Sequence, residues 1–373
     1  MRNWRATTAA IAVVSALALA TACSSENEDD GGSGGDSGGS GGGSTASELS
    51  GTIAGAGASS QDAAQQAWMA GFLGANPDVT ITYDPSGSGA GREQFIAGGA
   101  TAFAGSDAYL DDEELAAATE RCGEVVEVPV YVSPIAVVFN LPGIDSLNLS
   151  AETIAGIFDQ KITKWNDEAI AADNPDADLP DLAITPVNRS DDSGTTENFT
   201  EYLATVAPDA WPHEASDVWP VDGGEAAQGT SGVIQAVTGG EGTIGYADAS
   251  QAGDLGTASV QVGDEFVPYS PEAAAAVLEV SERAEGRGEY DFAFDLARDT
   301  TEAGTYPIVL VSYGLACTSY DDADTAELVK AYFDYIISEE GQAAAAETAG
   351  SAPISDALRE QLQTAVDAIG SAS

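Results

Sequence analysis

Histidine occurs once in this chain of 373 residues, cysteine three times, and lysine and arginine together only 12 times against 61 acidic residues. Each shortage excludes something. The single His213, in Trp211-Pro212-His213-Glu214, and the scarce cysteines leave too few nitrogen and sulfur ligands for a zinc site. A Ser-His-Asp triad would have to recruit that same histidine, and no Gly-x-Ser-x-Gly elbow sits between a strand and a helix pattern. A formal net charge of -49 leaves no basic patch for nucleic acid or anionic lipid. Long apolar runs are missing too, apart from Ala9 to Ala20 near the start.

That run follows Arg2 and Arg5 and ends in Leu19-Ala20-Thr21-Ala22-Cys23. A basic start, a short apolar core and small residues before the break read as a secretory signal over residues 1–22 rather than a membrane span. The cysteine directly after Ala22 resembles a bacterial lipobox, with Leu19 one place further back than usual, so Cys23 is the expected lipidated N-terminus. Residues 23–47 then form a Gly/Ser/acidic tether with scarcely an apolar residue. Removing residues 1–22 leaves 10 basic and 61 acidic residues, a net charge of -51. An anionic ligand must therefore be held by local donors, since the global field repels it. Cys122 and Cys317 remain in an exported chain, and a disulfide between them is the default expectation.

What the chain does have is Gly/Ser loops leading into helices. Ala54-Gly55-Ala56-Gly57-Ala58-Ser59-Ser60 follows a short apolar start and precedes a helical stripe of Ala64, Ala67, Trp68 and Phe72. Ser86-Gly87-Ser88-Gly89-Ala90-Gly91 follows the alternating Val79–Tyr83 strand and opens a helix through Ala97, closed by Gly98-Gly99. Asn188-Arg189-Ser190-Asp191-Asp192-Ser193-Gly194-Thr195-Thr196 follows an apolar run and opens a helix carrying Phe199, Tyr202, Leu203 and Val206. Helix N-termini with free N–H groups, hydroxyls and one guanidinium suit a tetrahedral oxyanion. One such stretch is usually an ordinary helix cap. Three in one chain, one of them with Arg189, point to anion binding.

Strand and helix patterns alternate throughout. A helix opens at Asp111 or Asp112 and runs to Arg121. A β-rich run spans Val125 to Val138 and contains Pro129 and Pro134. Further helices are expected near 150–158, 193–206, 325–338 and 355–369, with strands at 242–246 and 306–313. About 325 residues after the tether suffice for two domains, and the alternation argues an α/β fold with ligand at strand C-termini.

Gly55-Ala56-Gly57-Ala58-Ser59, Gly87-Ser88-Gly89, Phe103-Ala104-Gly105-Ser106-Asp107, Lys164-Trp165-Asn166-Asp167, Arg189 to Thr195, and Thr243-Ile244-Gly245-Tyr246 occur in that order. Together they resemble the phosphate-binding protein of the Pst-type ABC transporter over residues 50 to 358. The resemblance implies a type II periplasmic-binding-protein fold: two α/β lobes joined by a two-segment hinge, closing on one phosphate. Lobe one would combine 48–132 with 308–373, and lobe two would hold 133–307. The hinge would be crossed near Tyr131–Pro134 and Thr305–Val311. On this layout Cys122 and Cys317 share a lobe, so their bridge requires Cα atoms within about 7 Å.

Carried over residue by residue, the resemblance implies that Ser59 supplies hydroxyl and amide, Ser60 an amide, and Ser88 both groups. Arg189 would clamp two oxygens, Ser193 offer its hydroxyl, Gly194 its amide and Thr195 both, while Asp191 holds Arg189 in place. Asp107 would carry selectivity, because a carboxylate tolerates only an anion that still has a proton to donate. By itself that residue reads more readily as a cap for the helix starting at Asp111; the resemblance turns the reading to selectivity. The Lys164-Trp165 stretch reads as structural. The expected function is a non-enzymatic, lipid-anchored phosphate receptor, monomeric and without cofactor or metal, delivering inorganic phosphate to a membrane permease. A receptor for sulfate or molybdate, or a phosphatase on the same fold, are the alternatives.

Overall fold

The computed structural model describes residues 49–372. The signal segment, Cys23 and the tether read from the sequence lie outside them. The first elements are β1 (Gly51–Gly57), α1 (Asp62–Ala75), β2 (Val79–Asp84), α2 (Ser88–Ala97), β3 (Thr101–Ser106), α3 (Asp112–Cys122) and β4 (Val125–Phe139). The middle of the chain forms β5 (Ser146–Leu149), α4 (Ala151–Phe158), α5 (Glu168–Asp173), β6 (Thr185–Arg189), α6 (Gly194–Val206), β7 (Glu225–Ala227), α7 (Gly229–Gly239) and β8 (Thr243–Asp248). Then follow β9 (Gly256–Val262), β10 (Glu265–Val267), α8 (Pro271–Glu279), β11 (Glu282–Arg283) and β12 (Phe294–Asp295). The last are β13 (Val309–Cys317), α9 (Ala323–Ile337), α10 (Glu339–Ala349) and α11 (Asp356–Asp367).

All fifteen residues of β4 are buried, which is why the sequence shows an unbroken β-rich run there rather than an alternating one. Its first part, from Val125 to Pro134, runs antiparallel to β13. Its last part, from Ile135 to Phe139, runs antiparallel to β8, and its end also meets β9. The sheet therefore reads β2-β1-β3-β13-β4-β8-β6-β7, with β5 and β10 on β9. On one side of the β13/β4 pair lie the parallel strands β1, β2 and β3, and on the other β6, β7 and β8, also parallel to one another.

Pro129 lacks the N–H a ladder needs, and the register slips beside it: Ser312 faces Tyr131 while Tyr313 faces Pro129. The segment after α8 returns to the first part of β4. Arg287 donates to the carboxylates of Glu127 and Asp291 at 2.8 Å and to the Leu110 carbonyl, and Glu127 N–H donates to the Tyr290 carbonyl. Burial, with the nearby Asp291 charge, lifts the Glu127 carboxyl to about 8 despite Arg287.

Caps place the helices. Asp111, not Asp107, caps α3, accepting from the N–H groups of Glu113 and Glu114. Ser150, Ser270, Asp322, Ser338 and Ser355 cap α4, α8, α9, α10 and α11. Cys122 and Cys317 form a disulfide with Cα atoms 4.6 Å apart, tying the end of α3 to the end of β13. Among the described residues, no helix is long and apolar enough to cross a membrane.

Candidate anion-binding site

Each loop singled out in the sequence leaves the C-terminal end of a parallel strand and runs into a helix. β1 ends at Gly57 and leads through Ser59 and Ser60 to α1; β2 leads to α2, which begins at Ser88; β6 ends on Arg189 and leads to α6. At such helix starts the first N–H groups have no earlier carbonyl to bind. Close approach of the loops depends on glycine. Gly57 sits at φ +145, and a Cβ there would lie 1.9 Å from the Gly105 carbonyl oxygen. A Cβ on Gly194 would lie 2.7 Å from Asp107 Cβ and 2.9 Å from Ser88 Oγ.

Asp107 stands at the centre. It is 3% exposed, and its carboxylate accepts from three hydroxyls. Ser60 Oγ donates at 2.6 and 2.7 Å to the two oxygens. Thr195 Oγ1 donates at 3.0 Å and Ser312 Oγ at 2.5 Å. Its N–H donates to Ser88 Oγ at 3.1 Å, and its carbonyl accepts from Asn198. Burial raises the Asp107 carboxyl above the ordinary carboxylate range, while the hydroxyls of Ser312, Ser60 and Thr195 and the charge of Arg189 oppose that rise.

Arg189 is 3% exposed. Its Nε donates to Asp191 Oδ1 at 2.8 Å and its Nη2 to Asp191 Oδ2. Asp191 Oδ1 also accepts from Gly229 N–H at 3.0 Å. Burial pushes the Asp191 carboxyl up, but Arg189 and the Gly229 amide hold it below the usual range. Ser193 caps α6 by accepting from Thr196 N–H at 3.2 Å, which leaves its own proton to donate elsewhere. The start of α6 is pinned to β8, where Thr196 Oγ1 and the Tyr246 hydroxyl lie 2.7 Å apart and Phe199 stacks on Tyr246.

Ser59, Ser60, Ser88, Asp107, Arg189, Ser193, Gly194 and Thr195 are all buried, and the contacts above join Asp107 to Ser60, Ser88, Gly194 and Thr195. Ser59 meets Thr230 across the site, the hydroxyls 3.1 Å apart, and Thr230 N–H donates to Ser59 Oγ. Thr230 was not found from the sequence, although Gly229-Thr230-Ser231-Gly232 is a fourth Gly/Ser helix start. Ser312 was missed as well; its signal is a lone hydroxyl inside the apolar run from Tyr306 to Tyr313. A third residue missed is Arg92, 6% exposed, whose Nη1 donates to Ser106 Oγ at 3.2 Å beside Asp107. His213 lies elsewhere, paired with Asp159 at 2.8 Å. Trp165 is fully buried and donates to the Gly242 carbonyl.

A family model described as a PBP superfamily domain matches residues 42–340. The phosphate-binding protein PstS 3 of Mycobacterium leprae is 35% identical over 370 residues, covering 97% of this chain and 98% of that protein. The chain belongs to the Pst-type phosphate-binding protein family. PstS 3 of Mycobacterium tuberculosis strain H37Rv is 37% identical over 327 residues, 85% of this chain and 86% of its own. Among solved structures, a periplasmic phosphate-binding protein (PfluDING) bound with phosphate superposes with a TM-score of 0.68 at 22% identity, covering 84% of this chain and 93% of that one. A phosphate ABC transporter substrate-binding protein from Clostridium perfringens, with bound phosphate, gives 0.57 at 20% identity over 80% and 98%. At those identities the likeness carries the fold: the two-lobed α/β type II periplasmic-binding architecture of the Pst-type family, here with β4 and β13 as its shared central strands.

Proposed function

We propose that this protein is an extracytoplasmic receptor, anchored through a lipid on Cys23, that binds inorganic phosphate and hands it to the permease of an ABC importer. The observation that carries this reading is the buried convergence of Ser/Gly helix starts with the Arg189–Asp191 pair around Asp107. On this reading Arg189 contributes two donors to phosphate oxygens, with Asp191 holding its plane. Ser59 and Ser88 each give hydroxyl and N–H, Thr195 its N–H and, once its proton turns from Asp107, its hydroxyl, Ser60 and Gly194 an N–H, and Ser193 its hydroxyl. Asp107 accepts the proton that phosphate carries at neutral pH and sulfate does not; against sulfate oxygens the buried carboxylate meets only lone pairs and like charge, and repels them. Lobes of 48–132 with 308–373 and of 133–307, hinged near Tyr131–Pro134, where β4 passes from β13 to β8, and near Thr305–Val311, let a monomer open and close on the anion. The family's characterised members are named as binding proteins, and this chain works here as a receptor and not as a catalyst.

Calorimetric titration of phosphate-stripped mature protein with phosphate and sulfate, alongside a phosphomonoester turnover assay, tests the reading. Tight one-to-one phosphate binding without measurable sulfate heat or ester turnover is expected. Preference for sulfate or molybdate, or turnover that survives repurification, would overturn it.

A further inference from the structure

Ser312 is fully buried in β13, a strand otherwise lined by apolar side chains and backbone. Its hydroxyl has a fixed direction. Gln61 Nε2 lies 2.6 Å from Ser312 Oγ and 3.1 Å from the Tyr313 carbonyl. A carbonyl can only accept, so the amide NH2 of Gln61 faces that way and donates to Ser312 Oγ. The remaining Gln61 Oε1 accepts from Gln65 Nε2 at 2.9 Å, and Gln65 Oε1 accepts from the Tyr332 hydroxyl at 2.9 Å. With its oxygen already accepting, Ser312 must point its proton at a neighbour, and Asp107 Oδ1 at 2.5 Å is far better placed than the Ser106 carbonyl at 3.4 Å. The register slip between Ser312 and Tyr313 places the hydroxyl here. The four hydrogen bonds therefore run one way, from Tyr332 through Gln65, Gln61 and Ser312 to the carboxylate.

We propose that Ser312, its hydroxyl oriented by Gln61, is the positioning residue that keeps Asp107 an acceptor and so sets the pH range over which the site turns away fully ionised oxyanions. This rests on the reading of Asp107 as the group that tells phosphate from sulfate. A carboxylate in so dry a place tends to take up a proton, and a protonated Asp107 donates, which is what a sulfate oxygen needs. A hydroxyl forced to donate to Asp107 favours the ionised form and opposes that change. Ser60 and Thr195 also donate to Asp107, so Ser312 is one of three hydroxyls on this carboxylate and the one whose direction Gln61 fixes; the charged groups nearby are engaged otherwise. Arg189 approaches from β6 but is committed to Asp191. Tyr83 of β2 and Asp248 of β8 also feel the Asp107 charge. On α2, Arg92 stops at Ser106, and on α6 Glu197 lies within the field of Arg92 and Asp217.

The test uses phosphate-stripped mature protein, with wild type, Ser312→Ala, Ser312→Thr and Asp107→Asn titrated with sulfate and phosphate in steps from about pH 5 to pH 8. In Ser312→Ala, sulfate binding should appear at a pH about one unit higher than in wild type, equivalent to roughly tenfold tighter sulfate at the intermediate pH. Ser312→Thr, which restores a hydroxyl, should return the wild-type profile. A Ser312→Ala sulfate profile that superimposes on wild type overturns the proposal. Asp107→Asn separates the two levels: it should bind sulfate across the whole pH range. If it still rejects sulfate, the reading of Asp107 itself fails, whatever Ser312 does. Should Ser312→Ala not fold, Gln61→Met is read on the same axes. It frees the Ser312 hydroxyl to turn away, so a smaller shift in the same sense is expected, and none refutes the proposal.

Discussion

Arg92 of α2 and Asp217, in the loop after α6, meet at 3.2 Å from opposite sides of the β13/β4 pair. Arg92 also holds Glu114 of α3 at 2.8 Å, and although burial alone would lower it, Glu114 keeps this guanidinium above its ordinary range. Asp217→Ala therefore leaves Arg92 with a partner and removes one contact across the site, while the Ser59–Thr230 and Asp107–Thr195 contacts remain. Because Asp217 is partly exposed, phosphate affinity should fall by about two- to fivefold, the range for a half-solvated pair. Stopped-flow should place that loss mainly in faster release, with the ligand-free melting temperature little changed. A slower release rate would show that the pair opposes closure.

Arg189 should matter far more. Among the described basic residues it is the one joined to Asp191 at the start of α6, and Arg189→Ala should cost about 2–4 kcal/mol of phosphate affinity by calorimetry, the range for truncating a buried charge pair. Arg189→Lys should recover only part of this, because an ammonium cannot present two parallel donors.

Gly194→Ala puts a methyl group where Asp107 Cβ, Ala108 N and Ser88 Oγ already lie within 2.7–2.9 Å. One of those partners is backbone, so the loops must part. Calorimetry should show phosphate affinity reduced at least about tenfold, a cost typical of overpacking. Melting of the ligand-free protein should change much less, since an open cleft relieves the clash.

Asp248 closes β8 in full burial, accepting from the Tyr131 hydroxyl at 3.1 Å and from Ser250 N–H at 2.9 Å. Burial lifts its carboxyl to about 6 in spite of hydrogen bonds from Ser250 and Ser133. The folded state then binds the proton more tightly than the unfolded chain, so this group's contribution is fully present below about pH 4 and is lost as pH rises through about 6. Asp248→Asn should flatten that part of the stability–pH curve, raising stability at neutral pH relative to wild type by on the order of 1–3 kcal/mol. Denaturant melts of both proteins at pH 4 and pH 8 would read it, and a wild-type slope surviving in the variant would assign the titration to another group.

Much of this was legible in the sequence where one physical signal dominated. The run from Val125 gave β4 to within a residue because a strand buried on both faces has no polar alternation to confuse it. α1, α3 and α6 were found from apolar spacing together with Gly, Ser or Asp at their starts. α7 was missed because its Gly229-Thr230-Ser231-Gly232 opening reads as loop. α10, with Ala343 to Ala346, has too weak an apolar stripe to announce a helix. At the candidate site, the loop residues singled out by local motifs lie buried beside one another. Ser312, Gln61 and Arg92 were not recovered, because their roles arise only when β13, the start of α1 and α2 are brought together beside Asp107. Ser312 lies 205 residues from Asp107 along the chain, and no spacing rule reaches that far.

The strand that joins β3 to β4 in the sheet is β13, which the chain reaches only at Val309–Cys317. A chain emerging from its N-terminus thus completes β1, β2, β3 and β4 long before the strand that belongs between the last two exists. Until then β3 and the first half of β4 have facing edges with nothing between them, the kind of exposed template that recruits foreign strands. Cys122 waits equally long for Cys317. Assembly must therefore be a late, nearly whole-chain event, and any truncation before residue 309 should yield an aggregating fragment rather than a smaller receptor.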